Sequence, residues 1–401
     1  MAYKTSSDSR NEQTCAGFLL AAGCAATALI WRQSEWELLV IKSLLLLITT
    51  FALLRHGRIY VGGSRTGMVA AGALLALSSI GMLQLARSAS AVRLETLRSV
   101  LDWWVAVAVF WCAWALCRRS RTRQWLLRAI AIFAALLCAL ATLQFFTSEG
   151  KIFWMWPAAE PQVFGPFQSR NNYASFAILM IPLVAWKGFS TKLNWYYLSA
   201  GTLMAASVIA SGSRAGAALL VMELVLLSFL FRPLRSGRIL AAAVTLLAGG
   251  IGIAGWSHLE YKLSDGDPFR YRREMLDSAL SMLRERPIEG FGLGTFAAVY
   301  PAFAQFDSGH YVNHAHNDWA ELAAEGGFPA LACLMLFAAS TLPAIRQNPW
   351  GLGIPLVFLH GLVDYPLQRL GVLFWLLLLS AALLQQGSSD LKHKNRSAEG
   401  R

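Results

Sequence analysis

The run Tyr311–Leu331 gathers His314, His316, Asn317, Asp318, Glu321 and Glu325 just ahead of an apolar stretch, with His310 immediately before it. An imidazole is the side chain best suited to take a proton near neutral pH. His316, with carboxylates and a second histidine around it, is therefore the candidate general base. His314 and His316 are two positions apart, which is not the i, i+4 spacing of a helical zinc pair, so the spacing favours acid–base chemistry over a metal site.

Other polar groups stand at comparable places. Arg214 lies in Ser211-Gly212-Ser213-Arg214-Ala215-Gly216, where small neighbours leave room for an anion to approach the guanidinium and the following helix start. Arg170, Asn171 and Asn172 could present hydrogen-bond donors at the start of another apolar segment. A helix is predicted to begin at Asp267-Pro268 and to stop at Arg286-Pro287. Its apolar face would carry Met275, Leu276, Ala279 and Leu283, with Arg272 aligned to that face as an anion binder and Arg273 on the opposite one. Gly290-Phe291-Gly292-Leu293-Gly294 lacks the Lys-Ser/Thr of a phosphate loop and reads as a tight turn. Asp364, Tyr365, Gln368 and Arg369 are expected to pair with one another. Asp265-Gly266-Asp267 resembles the metal-binding DxD of nucleotide-sugar enzymes, but Asp267 already has a capping role.

The elements that must position these groups are membrane helices. The chain has 401 residues, 56% of them hydrophobic and only 14% charged, with a mean hydropathy of +0.47. That is too apolar for a soluble domain of this size. A helix needs roughly 20 apolar residues to cross the bilayer core, and about twelve stretches approach that requirement. They cover 16–31, 36–54, 66–86, 99–117, 126–146, 171–187, 194–211, 214–231, 238–256, 328–345, 351–366 and 370–386. The expected fold class is an all-α polytopic integral membrane protein with one large outer loop, 257–325, carrying short helices.

Lys and Arg at 55–65, 118–123, 187–192, 232–238, 346 and 392–396 place both termini in the cytoplasm by the positive-inside rule, with Arg87–Arg98 as the exception. The formal net charge of +12 is mostly at expected membrane edges, where it orients helices and meets anionic lipid, so nucleic acid is not an expected partner. All six cysteines lie in apolar segments without metal-site spacing. The chain divides into N-terminal helices 1–170, a core 171–386 that includes the loop, and a tail 387–401.

Taken in order, GPFQSRNNYASF at 165, GSRAG at 212, the stretch from Arg270 to Phe296, and His316-Asn317 followed by Glu325 and Gly327 resemble the O-antigen ligase and polymerase superfamily of bacterial envelope enzymes. The resemblance spans roughly Phe164 to Arg369. It implies a GT-C-like glycosyltransferase of the inner membrane whose site faces the periplasm. Glycan would pass, with inversion, from undecaprenyl diphosphate to a hydroxyl on lipid A-core or on a growing glycan, without cofactor or metal. Under it, His316 is the base, and Arg214 and Arg272 hold the departing diphosphate. In the family pattern a tryptophan follows the second arginine by four residues. Here Leu276 stands there, which leaves Arg270 and Arg273 as alternatives. Arg170, Asn172, His314, Asn317 and Glu325 are further substrate-binding candidates. A protein O-glycosylating enzyme is a related alternative. A transporter or flippase is the alternative from another class, against which stand the clustering of polar residues at one face and the lack of an inverted repeat.

Overall fold

The computed structural model describes residues 8–30, 35–56, 64–158, 163–189, 194–230, 270–306, 309 and 311–399. The expected span 238–256 and the Asp265–Pro268 segment lie outside the described residues.

Among the described residues the chain is all-α apart from one small hairpin and an isolated bridge between Phe164 and Phe167. Its first five helices are α1 (Asp8–Leu29), α2 (Glu35–His56), α3 (Arg65–Ala86), α4 (Arg93–Leu116) and α5 (Ser120–Thr147). The hairpin β1 (Lys151–Ile152) and β2 (Trp156–Pro157) follows. Next come α6 (Arg170–Phe189), α7 (Trp195–Ala210) and α8 (Arg214–Leu230). After Arg270 the elements are α9 (Arg270–Glu285), a short α10 (Phe296–Val299), α11 (Asp318–Ile345), α12 (Gly353–His360) and α13 (Leu370–Glu399).

Among the described residues α3, α4, α5 and α11 are long and apolar enough to cross a membrane; α1, α7, α12 and α13 supply shorter apolar stretches. Their exposed faces carry apolar residues, as with Met82, Leu83, Leu136, Leu143 and Met335, which suits hydrocarbon rather than water. The apolar residues of α13 from Val372 to Leu384 are buried, making it the central post. α13 packs on α1 and α4, and α3 packs on α4 and α11. Small residues permit the close approach: a Cβ at Gly67 would meet the Trp114 ring at 2.7 Å, and one at Gly81 would meet Val100 at 2.5 Å.

Three expectations are corrected. The segment 351–366 is α-helical only over the eight residues of α12, about 12 Å of rise at 1.5 Å per residue, preceded by a 3-10 turn at Pro349–Gly351. It then turns through Gly361–Arg369, where Pro366 begins a single 3-10 turn. The apolar segment 328–345 is the lower part of a helix that already starts at Asp318 and bends at Gly327 (φ 69°, ψ −174°). Arg93 and Arg98, expected in a loop, belong to the first turns of α4.

Candidate functional site

The site is built at the start of α11. Asn317 is its N-cap: Oδ1 accepts from the N–H groups of Trp319 (3.1 Å) and Ala320 (3.0 Å), satisfying donors that a helix start leaves open. The same side chain donates from Nδ2 to Leu362 O at 2.9 Å. Asp318 N donates to Gly361 O at 2.7 Å, and the Asp318 carboxylate accepts from Leu367 N at 2.9 Å. Trp319 Nε1 donates to Phe358 O at 2.9 Å. The helix cap and the Gly361–Arg369 turn are thereby bolted into one unit.

That unit brings His316 to Asp364, Nδ1 to Oδ1 at 3.2 Å. The imidazole is 31% exposed and the carboxylate 1% exposed. An Nδ1–H donated to the carboxylate would leave Nε2 as the basic nitrogen, an arrangement in which Asp364 could orient the ring and stabilise an imidazolium. Burial pushes the Asp364 carboxyl upward, but the hydrogen bond and charge of His316, with the charges of His360 and Arg272, together hold it below the ordinary carboxylate range. Asp364 Oδ1 also accepts from Tyr365 N at 2.9 Å. His316 itself sits at φ 50°, a left-handed conformation that costs a non-glycine residue about 1–3 kcal/mol and persists where surrounding structure imposes it.

A second imidazole–carboxylate pair lies beside the first. His314 Nδ1 is 2.8 Å from Glu321 Oε1, and the other Glu321 oxygen accepts from Ala315 N at 2.7 Å. The Tyr365 ring joins the two pairs. His314 stacks on it at 4.5 Å and His316 meets it at 83° with centroids 4.8 Å apart. Arg369 lies over the ring and donates from Nη2 to its hydroxyl at 3.2 Å. Deeper, His360 Nδ1 and Ser175 Oγ are hydrogen-bonded at 2.7 Å, tying α12 to α6.

The frame comes from the glycine run, which is a tight turn. Gly290, Gly292 and Gly294 all have positive φ, and a Cβ at Gly290 would lie 2.2 Å from Glu325 O. Phe291 N donates to Ala324 O and Gly292 N to Glu325 O. Gln84 on α3 clamps both partners, donating to Glu289 O and Glu325 O and accepting from Leu293 N.

The remaining candidates separate by position. Arg272 is half-buried on α9, and its charge is felt by both Asp364 and His360. Arg214 is exposed as the first residue of α8. Ser213 accepts from Gly216 N and donates to Asn171 Oδ1 at 2.7 Å, seating that helix start against α6. Arg270 and Arg273 are exposed, with the Arg270 guanidinium 4.8 Å over Phe306. Arg170 is half-exposed at the start of α6, while Asn172, one turn position further in, is buried with Oδ1 unpartnered. Glu325 is buried and its Oε1 accepts from Phe296 N at 2.9 Å, which makes it part of the frame. Asn317 likewise spends its side chain on the cap.

Two features escaped the sequence reading. Asp364, expected to pair within its own turn, reaches His316 instead; an acidic residue in a short turn between apolar helices was the available signal. The packed face of α9 is rotated, with Glu274, Ser278 and Met282 buried beside Ala279 and Leu283. Burying Glu274 is tolerated because Ser278 Oγ, the Tyr300 hydroxyl and Gln305 N all donate to its carboxylate.

Residues 199–335 match the family model described as O-antigen ligase, a segment that includes Arg214, Arg272 and His316. No curated protein matches the chain.

Proposed function

The chain belongs to the O-antigen ligase and polymerase superfamily, and from that premise we propose that it is an inverting glycosyltransferase of the bacterial inner membrane, acting on the periplasmic side. Its donor is a glycan on undecaprenyl diphosphate, and its acceptor is a hydroxyl of lipid A-core or of a growing glycan.

The observation that carries this reading is the 3.2 Å contact between His316 and the buried carboxylate of Asp364. In the proposed step His316 Nε2 takes the proton of the acceptor hydroxyl as its oxygen attacks the anomeric carbon from the face opposite the diphosphate. The bond from that carbon to the diphosphate oxygen breaks, and the electron pair leaves with the diphosphate. Arg272 and Arg214 stabilise the charge growing there. Asp364 fixes the ring and balances the imidazolium.

The test is the surface and lipid-linked glycan profile of a deletion strain carrying wild type, His316→Ala or Arg214→Ala at matched expression. Both variants are expected to lose transfer while the lipid-linked donor accumulates. The length of the accumulated donor distinguishes a ligase, which leaves finished polymer, from a polymerase, which leaves single units. Full activity in both variants would overturn the assignment.

A further inference from the structure

A cavity of about 460 Å³ adjoins the site on the side of His314 and Arg369. It is not lined by His316, yet it is one ring away from it, because His314 and Arg369 both touch Tyr365, which His316 meets edge-on. Of its lining, only Gly294 and His314 lie in the segment matched by the family model. The rest comes from α1, α2, α4, the approach to α6, and the start of α13.

Its lining mixes polar and apolar groups. Asn172 is buried with Oδ1 lacking any hydrogen bond among the described residues, and half-buried Arg369, which lies over Tyr365, has a buried Nε that lacks one too. A buried acceptor and a buried donor left open beside one cavity are the complement of a hydroxylated head group, since such atoms are normally satisfied. Leu38, Leu39 and Leu101 give the lining an apolar wall on α2 and α4. It also holds the Lys42–Asp102 and Arg98–Glu95 ion pairs, with Arg98 and Glu95 at 2.8 Å. Lysine and arginine there can exchange a carboxylate for an incoming anion.

We propose that this cavity seats the acceptor, an anionic glycolipid. Its sugar hydroxyls meet Asn172 and Arg369, its anionic group meets Lys42 and Arg98, and its hydrocarbon lies along α2 and α4. This rests on the glycosyl-transfer reading above. The matched segment includes Arg214, Arg272 and His316, whereas most of the cavity's lining lies outside it.

The test uses the full chain in nanodiscs with undecaprenyl-diphosphate-linked glycan as donor, titrated with lipid A-core or with a growing lipid-linked glycan as acceptor. Leu101→Trp, which adds bulk at the apolar wall, and Asn172→Leu, which removes the open acceptor, should each raise the acceptor KM about tenfold or more, the scale of one lost hydrogen bond or blocked contact. Donor KM should stay within about twofold, which also reports that the variants are folded. A shift in donor KM instead would make the cavity part of the donor site and overturn the proposal. Unchanged constants in both variants would reduce it to a niche for bilayer lipid and overturn it equally. No transfer by wild type with either acceptor would sink the glycosyl-transfer reading itself, and this assignment with it.

Discussion

His316 and Asp364 are 48 positions apart in the chain, yet their side chains meet at 3.2 Å. The helix cap of α11 and the turn after α12 hold that contact through backbone hydrogen bonds on both sides. The backbone thus places Asp364 where its carboxylate can orient the ring.

Replacing Asp364 with Asn keeps the shape and removes the charge. Because an amide can also hold the wrong histidine tautomer, kcat should fall by about 10²–10⁴, as for other carboxylate–histidine pairs, while donor KM changes little. Transfer rates in reconstituted vesicles measure it; a near-wild-type kcat would show that the carboxylate is not coupled to the base.

The same carboxylate sets a pH window for the local structure. Its folded-state pKa is depressed below the ordinary value of about 3.9. The stabilisation it confers is thus fully present above that value and is lost only as pH falls through the depressed one. Hydrogen exchange of the Gly361–Arg369 amides should be flat with respect to this linkage from about pH 8 to 5, after correction for the intrinsic rate. Protection should decline only below about pH 4. Loss of protection already near pH 6 would contradict the ion-pair geometry.

His316 is held at φ 50°, so glycine there should relieve strain that alanine retains. His316→Gly is expected to be more stable than His316→Ala by about 1 kcal/mol, with both inactive. Thermal unfolding in one detergent compares them; equal stability would mean that the left-handed backbone costs nothing.

Gly290→Ala places a Cβ 2.2 Å from Glu325 O at a positive φ, where the neighbour is backbone and cannot swing away. Destabilisation of about 2 kcal/mol or more is expected, read as a lower unfolding temperature and reduced transfer. Wild-type behaviour would show the turn to be looser than the packing implies.

Much of this was legible in the sequence. Apolar length located α3, α5 and the lower part of α11, and the polar run around His316 is the one that the structure gathers at the start of α11. Glycine spacing identified the turn at Gly290–Gly294. What could not be read were relations across distance. Nothing local distinguishes an Asp364 that pairs with Arg369 from one that reaches the start of another helix. Hydropathy likewise extended the segment 351–366 past His360, because Gly361, Leu362 and Val363 are as apolar as a helix interior although they form a turn. On α9, the donors that make burial of Glu274 tolerable come from Ser278 and from Tyr300 and Gln305 further along the chain, so nothing within the helix marks that face as packed.

The bend at Gly327 has a mechanical consequence. Above it, Asp318–Gly326 is fastened to the Gly361–Arg369 turn and to the glycine run; below it, Phe328–Ile345 presents Met335, Leu336 and Leu342 outward. Phe328 N donates to Pro287 O at 2.8 Å, pinning the joint. The pinned bend sets a fixed angle between the two rods, so the cap that carries His316 takes its alignment from the Gly361–Arg369 turn and not from the axis of the lower rod.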